Sequence, residues 1–182
     1  MSLLPVNVYG DQILREKAKP VENFDMELVG IISDMFETMR NADGIGLAAN
    51  QVGLDKAIFV IDVSVIEEFK DLKPMVFINP EIVESSEETL IMEEGCLSLP
   101  GLHGEVERPE RIKIEFTDPD ENRLVLEAEG YLARVIQHEY DHLMGVVFAD
   151  KLMPGQKKKV QKDLLRIVKR DFEPTYPIAE KK

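Results

Sequence analysis

The segment His138-Glu139-Tyr140-Asp141-His142 constrains this chain more than any other, because it demands a helix that can hold a metal and a base together. Residues four apart on a helix share a face, so both imidazoles can reach a single ion. Glu139 between them is placed to take a proton from water that such an ion activates. Two of only three histidines are used here. A polar helix surface that happens to carry two histidines is the bland alternative. The flanks favour a helix buried on one side. Between Leu126 and Met144, Tyr131, Leu132, Val135, Ile136, Tyr140 and Leu143 recur at spacings of three and four. Gly145 is the expected stop, before the β-prone Val146-Val147-Phe148. The histidines then sit at the edge of the buried face.

Two histidines leave a site incomplete. An extended His-Glu-x-x-His-x-x-Gly-x-x-His motif would put its last ligand at Phe148, which binds no metal, and the stretch around Lys162 and Asp163 supplies no glutamate ligand. Cys96 is the strongest remaining candidate, in Glu94-Gly95-Cys96-Leu97-Ser98-Leu99-Pro100. A lone cysteine is usually a small buried hydrophobe, but the missing third ligand reverses that preference. Cys, His and His leave one position of a tetrahedral ion open for chemistry.

Gly44-Ile45-Gly46-Leu47-Ala48-Ala49-Asn50-Gln51 superficially fits a dinucleotide-binding fingerprint. That fingerprint must follow a strand, whereas Phe24 to Arg40 reads as an amphipathic helix. What survives is a glycine loop that approaches a ligand closely, with Gln51 able to donate an amide hydrogen bond.

The middle of the chain reads as β-rich. Strands are expected over Ala57 to Val63, Met75 to Ile78, Glu81 to Ser85, Thr89 to Met92, Arg111 to Thr117 and Arg123 to Ala128, the last two joined by a hairpin at Asp118-Pro119-Asp120-Glu121-Asn122. With 182 residues and 44% hydrophobic content, a single domain with a real core follows. No apolar run approaches a membrane span, and the first residues lack a signal-peptide pattern. One cysteine fits a reducing cytoplasm rather than a disulfide scaffold. Neither membrane nor DNA is an expected partner.

Net charge is −13, yet residues 154–182 hold nine Lys or Arg against four Asp or Glu. A basic helix is expected over about Gln156 to Phe172, with Val160, Leu164, Leu165 and Val168 as an apolar seam. A solvated helix docked on an acidic body explains this without any partner.

Taken together, Gly44 to Gln51, Glu94 to Ser98 and Gln137 to His142 resemble, in order, the three signatures of the peptide deformylase family. The resemblance runs from the N-terminus through Phe172. It implies an α+β fold, with antiparallel sheets packed around the central metal-binding helix and helices towards both ends. It implies one catalytic domain over residues 1–172, basic helix 154–172 included, followed by a tail over 173–182. The implied reaction removes the N-formyl group from formyl-methionine on newly made polypeptides and releases formate. Cys96, His138 and His142 would hold a divalent metal, Fe²⁺ in the cell, though this donor set also suits Zn²⁺, Ni²⁺ or Co²⁺. Glu139 would be the base, with the Gln51 amide and the Leu97 N–H meeting the oxyanion. Gly44, Ile45, Met92, Tyr131, Val135 and His138 would enclose the methionine side chain, and Gly46 would pair with the substrate backbone. His103 stands where several members carry a substrate-contacting arginine. Asp141 orients the site through an arginine such as Arg108, or is simply a solvated carboxylate. The resemblance also makes the basic helix a transient docking surface for the ribosome.

Two other readings stay open here. An aminopeptidase-like metallohydrolase could use the same helix, and comparing formyl-Met-Ala with Met-Ala separates it. A non-catalytic ribosome-associated module could keep the fold, but it should have lost Glu139 or a ligand.

Overall fold

A computed structural model describes residues 2–181. Helix α1, Met26–Asn41, starts where the Asp25 side chain accepts the Leu28 N–H at 3.0 Å, satisfying a donor the helix leaves free. Seven strands follow: β1 (Gly46–Ala48), β2 (Ile58–Ile61), β3 (Met75–Ser85), β4 (Thr89–Cys96), β5 (Leu99–Pro109), β6 (Arg111–Thr117) and β7 (Arg123–Glu129). Helix α2 spans Gly130–Leu143 and α3 spans Gln156–Val168.

An antiparallel sheet in the order β1-β2-β3-β6-β7 carries most of the core, and β4 and β5 form a separate hairpin. Alternation along β2 shows how the sheet is covered on both faces. Ile58 and Val60 pack against Leu28, Ile32, Met35 and Met39 of α1. Phe59 and Ile61 point the other way, into a cluster with Ala133, Val135, Ile136 and Leu143 of α2. There Phe77 stacks between Phe59 and Phe116, with ring centroids 4.5 and 4.3 Å apart. A third cluster joins Leu99, Leu102 and Val106 of β5 to Phe148, Leu152 and, from α3, Ile167. Among the described residues this is the expected α+β arrangement around the histidine helix.

Several boundaries differ from those expected. The helical spacing from Leu126 is overruled by strand pairing with β6, which runs to Glu129 opposite Arg111, so α2 begins at Gly130. The stop at Gly145 holds: its φ is +74°, and its N–H donates to the His142 carbonyl. Beyond it Val147 and Phe148 are buried, and Phe148–Lys151 forms a 3₁₀ turn rather than a strand. Helix α2 is not buried on one side only, because its polar residues Arg134, Gln137, His138, Glu139, Asp141 and His142 are buried too. Two expected strands merge into β3, with register irregularities around Asn79-Pro80 that keep the pairing with β6 continuous. The glycine loop contains β1 and a 3₁₀ turn over Ala49–Val52. Strand β5 was not foreseen. The basic helix ends at Val168, short of Phe172.

The described residues after α3 have no helix or strand of their own, but they return to the body. Val6 N–H donates to the Pro177 carbonyl at 2.8 Å, and Ala179 N–H donates to the Val6 carbonyl at 2.9 Å.

Candidate active site

Three elements converge on one cavity of about 340 Å³, a size suited to a small ligand or a peptide end. Helix α2 supplies His138 and His142, one turn apart, and β4 ends at Cys96. Potential ligand atoms of Cys96, His138 and His142 all lie within 4.8 Å of one another, and Cys96 Sγ is 3.2 Å from His142 Nε2.

The surroundings fix these groups. Glu94, two residues before Cys96 on β4, lies 2.8 Å from His138 Nδ1 and leaves the Nε2 side of that ring for an ion. Glu94 is itself held by Arg108 Nε at 2.6 Å, Arg108 Nη2 at 3.0 Å and Arg134 Nη1 at 2.8 Å. Arg108 reaches on to Asp141 at 2.6 Å, and Lys151 pairs with the same carboxylate at 2.7 Å. Asp141 is therefore ion-paired rather than solvated. Burial works against ionisation of Glu94, but His138 and Arg108 outweigh it and hold the carboxyl well below the usual range.

Charge in the cavity favours a cation. Burial alone would lower the His138 pKa, yet Cys96 and Glu94 push it well above its ordinary value. His142, buried and next to His138, is pushed well below its ordinary value and so kept as the neutral imidazole that binds metals. The thiol and two imidazoles, with the His138 ring held by Glu94, fit a divalent ion.

Glu139 faces the same cavity, and burial pushes its carboxyl up to about 7. Its Oε2 is buried and makes no hydrogen bond among the described residues. Gly46 on β1 lies so close that a Cβ there would overlap this carboxylate. Gln51 sits in the 3₁₀ turn after β1. Its Oε1 accepts the Ala48 N–H at 2.8 Å, which aims its NH₂ at Ser98 Oγ (3.1 Å) and Cys96 Sγ (3.5 Å). Asn50 beside it donates to the His142 carbonyl, tying the turn to α2.

The cavity brings together Gly44, Ile45, Gly46, Gln51, Cys96, Leu97, His103, Tyr131, Val135, His138 and Glu139, with His142 behind them at the ligand cluster. Met92 stays outside the lining; it stands one strand repeat beyond Glu94, opposite Val106. The His103 ring lies over Gly95, its partner in the hairpin. Sequence reasoning gave no role to Glu94, Arg134 or Tyr176. The signals for the first two were present: Glu94 shares a strand face with Cys96, and Arg134 lies one helical turn before His138.

A model of the polypeptide deformylase family matches residues 3–158. The chain belongs to the polypeptide deformylase family. The peptide deformylase of Chlorobium limicola is 46% identical over 177 residues, 97% of this chain and 95% of that protein. That of Salinibacter ruber is 46% identical over 186 residues, 98% and 95% of the two chains. Among solved structures, peptide deformylase from Plasmodium falciparum superposes with a TM-score of 0.85 at 39% identity, covering 91% of this chain and 95% of that one. The Synechococcus elongatus deformylase in complex with actinonin gives 0.81 at 39% identity, covering 97% and 92%. The chain is thus a hydrolase of the deformylase type: it removes the formyl group from the N-terminal formyl-methionine of new polypeptides, a metal-dependent reaction that releases formate. Among the described residues, no helix is long and apolar enough to cross a membrane.

Proposed function

We propose that Cys96, His138 and His142 hold one divalent ion, Fe²⁺ in the cell, and that Glu139 is the proton-transfer group of formyl hydrolysis. The observation that carries this is the convergence of three ligand atoms within 4.8 Å beside a buried, unpartnered Glu139 oxygen. When bound, the ion supplies Lewis acidity that makes water a nucleophile near neutral pH. Glu139 accepts the proton of the attacking water as the new C–O bond forms at the formyl carbon. The Gln51 amide and the Leu97 backbone N–H donate to the oxygen that gains charge. Glu139 then delivers its proton to the amine nitrogen as the C–N bond breaks, leaving formate and a free N-terminus.

Substrate lies along the cleft between β1 and the β4–β5 hairpin. β1 is an edge strand, so the Gly46 backbone is free to pair with an extended peptide. Gly44, Ile45, Tyr131 and Val135 form the methionine pocket with the His138 ring, and His103 contacts the chain beyond it. Met92, outside the cavity lining, is not part of that pocket. The enzyme works in the cytoplasm. Its basic helix docks transiently on the ribosome, supported by exposed Lys157, Lys158, Lys159 and Lys162, none of which pairs with a carboxylate among the described residues.

Formate release from formyl-Met-Ala, assayed anaerobically with Fe²⁺, tests the reading. Rapid release from that peptide and no cleavage of Met-Ala is expected. Cleavage of Met-Ala instead would mean an aminopeptidase.

A further inference from the structure

The last residues of the chain close one wall of the cavity. Tyr176 lines it, and its hydroxyl donates to the Leu97 carbonyl at 2.7 Å. Leu97 is the residue whose N–H is assigned to the oxyanion above. The family model stops at residue 158, so this wall is built from a segment outside the matched region.

Tyr176 is held firmly. Pro174 and Pro177 flank it, each with a fixed φ, and a residue before proline is biased to extended backbone. The next residues are clasped by the N-terminal segment through the Val6 bonds to Pro177 and Ala179. That same segment reaches the site twice more. Asn7 N–H donates to the Gln51 carbonyl at 2.7 Å, and Tyr9 N–H donates to the Ser98 carbonyl at 2.8 Å. Gln51 is thus braced by the N-terminal segment and Leu97 by Tyr176, with Ser98 beside Leu97 held from Tyr9. The Leu97 carbonyl can only accept, so the Tyr176 hydroxyl is the donor of this bond.

We infer that Tyr176 is a positioning and substrate-lining residue of the deformylase reaction: its hydroxyl anchors the Leu97–Ser98 peptide through the Leu97 carbonyl and so restrains, across the Leu97 Cα, the adjoining N–H that faces the oxyanion, and its ring forms part of the wall against which the formylated chain lies. The two parts are separable by substitution. Tyr176→Phe keeps the ring and removes the bond to Leu97. Tyr176→Ala removes both. The inference rests on the hydrolysis proposed above, so the parent enzyme is assayed first on the same peptide, formyl-Met-Ala-Ser.

With metal content and melting temperature at parent values, Tyr176→Phe should lower kcat about fivefold and leave KM nearly unchanged, as loss of one positioning hydrogen bond predicts. Tyr176→Ala should show the same fall in kcat and, in addition, raise KM about tenfold. Binding of the unformylated product Met-Ala-Ser, measured calorimetrically without turnover, should weaken in Tyr176→Ala and not in Tyr176→Phe. A parent with no turnover sinks the hydrolysis and this inference together. An active parent with unchanged kcat in Tyr176→Phe overturns the positioning role alone. Unchanged product binding in Tyr176→Ala overturns the wall, and if that variant does not fold, the Phe variant still decides the hydroxyl.

Discussion

Helices α2 and α3 are almost equally long, 14 and 13 residues, and both are rich in charge, yet they treat it in opposite ways. On α2, Arg134, His138, Glu139 and Asp141 are buried, and all but Glu139 are matched to groups from remote strands or the following loop. Such burial is costly unless each charge is paired and hydrogen-bonded, and a buried ion pair is often no more stable than an apolar replacement. Its return here is orientation: Arg108 and Arg134 hold Glu94, and Glu94 holds His138. On α3, Lys157, Lys158, Lys159 and Lys162 face solvent. Lys157, Lys158 and Lys159 also crowd the helix N-terminus, where the first turn contains no acidic residue. Positive charge is disfavoured there by the helix dipole. The fold gains nothing from those lysines, and the docking proposed above would give them a use. The contrast separates charge that builds a site from charge left facing solvent.

The largest effect should come from the ligand set itself. Cys96→Ala should lose bound metal and turnover together, with activity down by about three powers of ten or more, because two imidazoles alone bind weakly. Metal analysis and formate release on one preparation check this. Wild-type metal content in that variant would remove Cys96 from the set.

Breaking the buried network should cost stability as well as activity. Glu94→Ala leaves Arg108 and Arg134 without their shared carboxylate, so unfolding free energy should fall by about 3–5 kcal/mol. Thermal or urea unfolding of the two proteins measures it. A change below about 1 kcal/mol would show that the network is far better hydrated than its burial implies.

On α3 the comparison predicts almost nothing for the fold. Replacing Lys157, Lys158, Lys159 and Lys162 with glutamate should shift stability by no more than about 0.5 kcal/mol per site, with a bias towards stabilisation from the dipole. Turnover of a free formyl dipeptide should stay within about twofold, since the lysines lie outside the cavity lining. Ribosome co-sedimentation should be abolished, and for the parent it should weaken steeply with salt. Unchanged co-sedimentation would return these lysines to a solvated face.

How much of this could be read from the chain depends on how local each signal is. The His138–His142 spacing, Cys96 and Gln51 were legible because each lies in a short run with its own chemical logic. Strand β5 was not. Its inward positions Leu102, Gly104, Val106 and Arg108 do alternate, but a glycine and an arginine hide the apolar pattern. Gly104 is there because a Cβ would overlap Leu152, and Arg108 is accommodated only because Glu94 and Asp141 meet it. Tyr176 was invisible for a simpler reason: its partner Leu97 is 79 residues away, and only the folded chain joins them. The start of α2 was blurred because apolar residues run on from the strand into the helix: Leu126 and Ala128 alternate as a strand paired with β6, and Tyr131 and Leu132 open the helical spacing.

The central claim is that Glu139 transfers the proton while Cys96, His138 and His142 hold the ion, and one variant tests both halves. Glu139→Gln keeps the side chain's shape and removes its basicity. Assayed for formate release from formyl-Met-Ala beside its metal content, it should retain the parent's ion and lose about two to four powers of ten in rate. Near-parent turnover with metal in place would contradict the account.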